Sequence, residues 1–586
     1  MFWTRLAALL VPVSFILQQG YQLQPRTDHW LSWLDMVLAA CFGADLVLAL
    51  FKHRNWEKVL EQRRLEFVLL AGLLVLLAMK AMLPLTSLDN LVKFLHLDSA
   101  TALGPVIIKL YLLLTVCLQA LRATARLFTA EVRPELILAG SFATLILTGT
   151  FLLLLPNSSA KPDAPIGSLD AFFMATSSVC VTGLTVRDPG TDFTSFGQMI
   201  LLGMFQVGGL GIITFVAFLS VFSSRALPVP QMMAFRQAVN APAMSDLRRV
   251  IIGIVSVTVI IEVVGAILMY QFLPGHADPL ERLKWCVFHT VSAFCNAGLS
   301  LESNSLEGFQ TNTGLVLTFM GLIVLGGMGF LVMTELLGHR FTRAPIFRRF
   351  GFFRRLHAGK PPERLTVQAR LSLRITAMLL LVGLAGFWAL EHAHALKERS
   401  FGDSFLISAF QSVTPRTAGF NTVPISGLQD ATLVFLMMLM VVGASPVSTG
   451  GGIKTLSFGI LLLALRAMIA RRDRVEAFGR TLPTTTLLAA LSVFVLYVIC
   501  ASLGVFLLAF FDPHMHLRDQ AFEVISALST VGLSTGITAN LSPGSKIVLC
   551  VLMFIGRVGP ISIVLSVLQR GRAVAYELPE EEVVVG

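Results

Sequence analysis

VCVTGLTV, at residues 179–186, carries at its centre a four-residue step, Cys180-Val181-Thr182-Gly183, that returns three times further along the chain. The later copies are Cys295-Asn296-Ala297-Gly298, Arg416-Thr417-Ala418-Gly419 and Ser529-Thr530-Val531-Gly532, with the glycines 115, 121 and 113 residues apart. In the first, second and fourth copies a Phe stands ten residues before the glycine (Phe173, Phe288, Phe522) and a Ser six before it (Ser177, Ser292, Ser526). The third copy is out of register, with Phe410 nine before and Ser412 seven before. A second glycine element follows each copy by 24 to 28 residues: Gly208-Gly209-Leu210-Gly211, Gly326-Gly327-Met328-Gly329, Gly443-Ala444-Ser445-Pro446 and Gly556-Arg557-Val558-Gly559. Two linked elements repeated four times in a hydrophobic chain predict four-fold pseudosymmetry about an axis.

Working outward from the hairpins, the rest of the 586-residue chain is 55% hydrophobic and only 14% charged, with a mean hydropathy of +0.77. Soluble domains carry roughly 25% charged residues, so the composition is that of an all-α polytopic membrane protein. Apolar runs near the ~20 residues that cross a bilayer fall at about 31–51, 65–84, 103–121, 135–155, 198–222, 250–273, 313–337, 371–390, 431–466 (interrupted), 484–511 and 545–569. A shorter run, Leu6–Leu17, reads as a retained first helix, because Gln18-Gln19-Gly20 lacks the small residues of a signal cleavage site.

The net charge of +10 is concentrated in connectors. Residues 339–374 hold ten Lys or Arg against the single acid Glu363, and Lys52–Arg64, Arg225–Arg249 and Arg466–Arg480 are also basic. Threading the spans in alternation puts these and the Arg122–Arg133 connector on one side, which the positive-inside rule makes cytoplasmic. Both termini then lie in the cytoplasm of a multi-pass cell-membrane protein. That result requires each hairpin to be a re-entrant excursion from outside. The charge is thereby explained without nucleic acid, and none is expected as a partner. The seven cysteines form no CxxC pair and read as small buried residues.

The expected organisation is an accessory set of transmembrane helices at 1–134, four pore repeats at 135–224, 249–339, 370–470 and 484–570, and a cytoplasmic tail at 571–586. Each repeat has one plan: spanning helix, half-helix, glycine hairpin, spanning helix. The half-helices are expected at 168–179, 280–294, 403–413 and 518–528. Three begin with acids or capping residues (Ser168 with Asp170, Asp403 with Ser404, Asp519), which suit the positive end of a helix. Their opposite ends would aim partial negative charge at the centre.

No hairpin supplies a carboxylate, so its useful ligands are backbone carbonyls, which glycine can turn toward one axis. Non-helical backbone at bilayer depth must be buried in protein or line a watery cavity. Carbonyl rings from four loops can replace the hydration shell of a monovalent cation. The predicted filter is thus 180–183, 295–298, 416–419 and 529–532, holding a monovalent cation through backbone carbonyls, as in a potassium filter.

These residues resemble the Trk/Ktr/HKT superfamily of potassium transporters over about 135–570. The resemblance rests on VCVTGLTV (179–186), FCNAGLS (294–300), TPRTAGFNT (414–422), STVGLSTG (529–536), GASPVSTGGGIKT (443–455) and FIGRVGP (554–560). The last two look closest to the Ktr branch. The resemblance implies four fused membrane–pore–membrane units forming one pore per chain, a homodimer, and a cytosolic nucleotide-binding regulatory ring. It also implies K⁺ over Na⁺, because glycine at all four filter positions goes with potassium and serine in the first copy with sodium transport in some plant members.

Residues 443–452 include one Pro and four Gly, which break an apolar helix. The break, with Gly443, Pro446, Gly450, Gly451, Gly452 and the closing Lys454, is expected beneath the filter, and the resemblance implies a flexible intramembrane gate there. Arg557 lies mid-span in the fourth unit, where an unpaired charge is costly and hence a functional candidate. It is expected to bond gate-loop carbonyls or to repel cations from below. Arg416 is expected to point behind the filter toward an acid, Glu262 or Glu523. Asp188, Asp192, Glu302 and Glu307 could draw cations to the outer mouth. The pairs His392/His394 and His514/His516 read as solvated side chains. Basic residues of 339–374 could meet a cytosolic partner or anionic lipid headgroups.

No catalytic triad, Walker loop or dinucleotide fingerprint is present, so an enzyme is not expected, nor any cofactor bound by this chain. The function expected is potassium-selective uptake through a gated filter. The rival is an ion-coupled (Na⁺ or H⁺) secondary transporter with alternating access, a class that often shows inverted two-fold repeats; four parallel units favour a pore. Whether Na⁺ activates transport is left open by the sequence.

Overall fold

The structure is a computed structural model that describes residues 25–52, 64–82, 134–161, 165–211, 247–275, 278–330 and 365–559, with isolated positions within 10–18, 108–115 and 332–336. Several expectations lie wholly or largely outside these residues: the run at Leu6–Leu17, the 103–121 span, the basic connectors at 122–133, 225–249 and 339–374, the repeat ends at 212–224 and 560–570, and the 571–586 tail.

Two helices precede the repeated elements, α1 (Pro25–Lys52) and α2 (Arg64–Met82). They share an apolar cluster that includes Leu38, Phe42 and Leu73. The remaining described helices follow one order. First come α3 (Pro134–Leu153), α4 (Ser168–Cys180) and α5 (Ser195–Leu210), then α6 (Leu247–Phe272), α7 (Pro279–Cys295) and α8 (Thr313–Gly327). Next are α9 (Val367–Glu391), α10 (Phe401–Val413), α11 (Asp430–Val441) and α12 (Thr455–Ile469), and last α13 (Thr484–Phe511), α14 (Leu517–Ser529) and α15 (Pro543–Val558).

The half-helices α4, α7, α10 and α14 start and stop within two residues of the positions read from sequence. Capping explains where they begin. Asp278 accepts from the Leu280 N–H ahead of Pro279 in α7, and Ser400 accepts from the Asp403 N–H at the head of α10. The sequence reading offers Asp403 with Ser404 at the head of α10 and no acid or capping residue for α7; the cap of α10 is Ser400. Asp170 opens α4 and is held by Lys546 at 3.0 Å and Arg187 at 2.9 Å.

Apolar residues sit in opposite places on the two kinds of helix. The windows Trp30–Ala49 in α1, Gly253–Phe272 in α6, and the whole of α9 and α13 are long and apolar enough to cross a membrane. Among these, α13 leaves Leu503, Phe506 and Phe510 exposed, as a lipid-facing helix does. The half-helices are instead buried toward their C-terminal ends: in α4 every residue from Phe173 to Cys180 is buried. Backbone that stops short of a full crossing is thereby enclosed in protein, as the bilayer requires.

The packing closes a cycle. Each half-helix packs on the helix before it and on the second helix of its neighbour, α7 on α5, α10 on α8, α14 on α11, and α4 on α15; α4, α7 and α14 also pack on the helix that follows them. The last of these contacts joins the end of the repeated region to its beginning. A short antiparallel pair, β1 (Glu476–Ala477) and β2 (Arg480–Thr481), connects α12 to α13. Both turn residues, Phe478 and Gly479, are left-handed, the geometry of a tight two-residue hairpin. The Arg370 and Arg374 guanidinium groups lie 5.0 and 4.5 Å from the centre of the Phe478 ring.

Candidate functional site

Each half-helix delivers its hairpin to the middle of the cycle. In three copies the helix ends on Cys180, Cys295 or Ser529 and the next residue turns left-handed: Val181 (φ 58°), Asn296 (φ 59°) and Thr530 (φ 52°). The following N–H then reaches back to the carbonyl of Ser177, Ser292 or Ser526 at 2.7–2.8 Å, which closes the helix end. In the third copy α10 stops at Val413, before Pro415, whose nitrogen has no hydrogen to donate. Thr417 (φ 72°) then takes the left-handed place.

This accounts for the serine six residues upstream. Ser177 and Ser526 accept from the N–H of Gly183 and Gly532 at 3.1 Å, and Ser292 donates to the Leu299 carbonyl at 2.7 Å. In the third copy Thr414 does the equivalent work, donating to the Phe420 carbonyl at 2.5 Å. Ser412, which the sequence offered for the role, instead donates to Leu380 of α9 at 2.6 Å.

The four glycines meet in a ring. A β-carbon on Gly183 would stand 2.6 Å from the Ala297 carbonyl oxygen and 3.0 Å from Cα of Gly298. On Gly298 it would meet the Ala418 carbonyl at 2.9 Å, on Gly419 the Val531 carbonyl at 2.6 Å, and on Gly532 the Thr182 carbonyl at 2.1 Å. Each contact is thus with the carbonyl that precedes the next glycine around the cycle. All four glycines have positive φ, between 69° and 95°. The ring therefore needs both the backbone freedom of glycine and its missing side chain.

The downstream glycines are seats for the hairpins. A β-carbon on Gly208, Gly326 or Gly556 would fall 1.9–2.1 Å from the carbonyl of Val179, Phe294 or Leu528. Each of these carbonyls lies four residues before its ring glycine, so the second helix of each unit is pressed onto the end of the half-helix. Gly443 differs: its position is closed by the Gly451 carbonyl, at 2.1 Å from such a β-carbon.

Residues 442–454 form the break between α11 and α12 and lie against the hairpins. A β-carbon on Gly450 would be 2.0 Å from the Thr417 hydroxyl, and one on Gly451 2.2 Å from the Thr530 hydroxyl. Gly452 is left-handed (φ 67°) and folds back on Gly443. The Pro446 carbonyl abuts Gly329 of the second unit. The break is tied to the second unit, where Ser445 N–H donates to Gly327 at 3.0 Å and Phe330 N–H donates to Val447 at 3.0 Å, and it is braced from within by Lys454 Nζ, which donates to Gly450 at 2.6 Å. Arg557 bridges two units, with Nη1 donating to the Thr449 carbonyl in the break and Nη2 to the Gly208 carbonyl at the end of α5.

Arg416 departs from its expected pairing. Its guanidinium does turn away from the ring, but it meets the Thr376 and Gly443 carbonyls, each at 3.4 Å, and no carboxylate among the described residues. Glu262 instead accepts from Gln206 at 3.2 Å, while Glu523 accepts from Ser534 and from Thr538 at 2.9 Å. The backbone oxygens it meets are those of α9 and the break, the two elements brought to the third hairpin.

A cavity of about 370 Å³ opens on the other side of the ring from the break, lined by the four glycines together with Asp188, Glu302 and Glu307. Asp192 is not in its wall. It pairs with Lys161 at 2.6 Å and accepts from the Asp188 N–H; burial raises its carboxyl, but the Lys161 and Asp188 contacts and the nearby Arg187 charge together outweigh this and hold it below the usual carboxylate range. Burial raises the Glu307 carboxyl against the opposing Asn421 bond at 2.7 Å. Glu302 accepts from the Trp285 indole at 2.9 Å. Both histidine pairs are exposed, and no group of three metal-ligating side chains occurs among the described residues.

Comparison with known proteins places this geometry. Residues 104–570 match the family model TrkH, described as a cation transport protein. The potassium/sodium uptake protein NtpJ of Enterococcus hirae is 34% identical over 460 residues, covering 77% of this chain and 97% of that protein. The Ktr system potassium uptake protein B of Bacillus subtilis is 33% identical, covering 74% and 92%. In fold, the chain is similar to the crystal structure of the potassium transporter TrkH from Vibrio parahaemolyticus, with a TM-score of 0.59 at 18% identity, over 86% of this chain and 98% of that one.

Proposed function

The chain belongs to the TrkH family of cation transport proteins, a membrane-spanning family, and on that premise we propose that it takes up potassium ions through the ring of four hairpins. The observation that carries this reading is the closure of the ring, in which the carbonyls of Thr182, Ala297, Ala418 and Val531 stand at the four ring glycines. Carbonyl dipoles at the negative ends of four half-helices offer a monovalent cation a substitute for its hydration shell. No carboxylate enters the ring, so nothing there strongly favours a divalent ion. In this reading the break at 442–454 is the gate, Arg557 ties it to the end of α5, and Lys454 braces it from within. The relatives' names, a potassium/sodium uptake protein and a Ktr-system protein, support uptake of monovalent cations. A homodimer regulated by a cytosolic nucleotide-binding ring completes the reading, with the basic 339–374 segment as a contact for that ring.

Transport is passive in this account. Full-length protein reconstituted in vesicles will pass K⁺ under an imposed voltage alone, with neither a Na⁺ nor a proton gradient. Flux that appears only when one of those gradients is added would favour the coupled transporter.

A further inference from the structure

Behind the ring lies a second layer that the repeat pattern does not announce. The residue directly after the buried phenylalanine of each half-helix differs in every copy: Met174, His289, Gln411 and Glu523. All four are fully buried. Two of them grip the arm of chain that leaves the ring, and they do so at the same two positions. His289 Nε2 lies 3.0 Å from the Ser300 hydroxyl and accepts from the Leu301 N–H at 3.3 Å. These are the second and third residues after Gly298. Glu523 accepts from the Ser534 hydroxyl and the Thr535 N–H, the second and third residues after Gly532. Gln411 makes a longer contact of the same kind, 3.5 Å to the Thr422 hydroxyl, the third residue after Gly419. Met174 has only a thioether at this place, a weak acceptor at best.

The grips are built to last. His289 is stacked on Trp285 at 3.8 Å, and its Nδ1 lies 2.9 Å from the Trp285 carbonyl. With Nε2 accepting from an amide, the imidazole is held as the neutral Nδ1–H tautomer. The second carboxylate oxygen of Glu523 accepts from Thr538 at 2.9 Å. Buried hydrogen-bonding groups of this kind are costly to leave unpaired, so each arm is fixed relative to its half-helix.

We propose that His289 and Glu523, with Gln411 as a weaker third member, are positioning residues that set the radius of the carbonyl ring and thereby its discrimination between K⁺ and Na⁺. This rests on the ring being the filter. The ring carbonyls and the gripped residues belong to the same short arms, only three or four residues apart. Loss of a grip lets the arm relax, and a ring free to shrink accepts the smaller ion. The first unit, with Met174, is held differently: Asp170 reaches Arg187, four residues after Gly183, at 2.9 Å.

The test uses the full-length protein in vesicles, comparing Glu523→Met, which installs the residue of the first unit, with Glu523→Gln, which restores a hydrogen-bonding side chain. The expected result is a K⁺/Na⁺ flux ratio lowered about tenfold in Glu523→Met and largely recovered in Glu523→Gln. If Glu523→Met does not fold, His289→Met against His289→Gln gives the same comparison. A ratio unchanged in the Met variants while Gly183→Ser lowers it overturns the positioning role and leaves the filter in place. A ratio unchanged in Gly183→Ser as well overturns the filter and the positioning role together. Equal loss in the Met and Gln variants also overturns the proposal, because recovery by a hydrogen-bonding side chain is what separates positioning from packing.

Discussion

Gly183→Ser is expected to lower the K⁺/Na⁺ flux ratio by about tenfold or more. Gly183 sits at φ 95°, where a residue with a side chain is strained, and its β-carbon would fall 2.6 Å from the Ala297 carbonyl oxygen. Strain of this kind costs of order 1–3 kcal/mol, and the obstacle is backbone that cannot swing aside. The first hairpin must move away from the second, which opens the ring on one side and admits a hydrated Na⁺. The serine hydroxyl would add a ligand that the four carbonyls do not supply. Paired K⁺ and Na⁺ uptake by wild type and variant measures the ratio. Equal discrimination in the two proteins would remove Gly183 from the filter.

Arg557→Ala is expected to raise K⁺ flux by about tenfold to a hundredfold, up to the limit set by the open pore. The guanidinium joins Thr449 in the break to Gly208 at the end of α5. Hydrogen bonds from a charged donor contribute about 1.5–3 kcal/mol, and here they favour the arrangement in which the break lies against the hairpins. Without them the balance shifts toward an open break, and the Arg557 charge no longer stands beneath the ring to repel ions. Arg557→Lys keeps the charge but not the two-pronged donor geometry, so an intermediate flux is expected. Flux equal to wild type in Arg557→Ala would count against a gating role.

Much of this architecture was legible because it is local. The half-helices follow from caps and apolar spacing, the hairpins from their repetition, and the break between α11 and α12 from Pro446 and its four glycines. What was not legible depends on which unit lies beside which. The downstream glycines gave a clear repeat but no role until Gly208, Gly326 and Gly556 were seen against half-helix carbonyls. Arg416 was assigned an acid by charge alone, yet Thr376 and Gly443 are what α9 and the break bring to it. Asp192 was counted at the mouth, but Lys161, 31 residues earlier, takes it away. The layer of His289, Gln411 and Glu523 is not legible in the sequence because a shared position there does not carry a shared residue. The out-of-register third copy was visible from its spacing, while its cause, Pro415 displacing the helix end and Thr414 replacing the serine, needed the backbone.

The most direct test of the central claim is to locate the ion. Crystals of the full-length protein grown with Rb⁺ in place of K⁺ would show anomalous density where the permeating ion rests. The account predicts a peak on the axis among Gly183, Gly298, Gly419 and Gly532, within coordination distance of the carbonyls of Thr182, Ala297, Ala418 and Val531. A protein that transports Rb⁺ but concentrates it only at carboxylates such as Asp188, Glu302 or Glu307, with none in the ring, would contradict it.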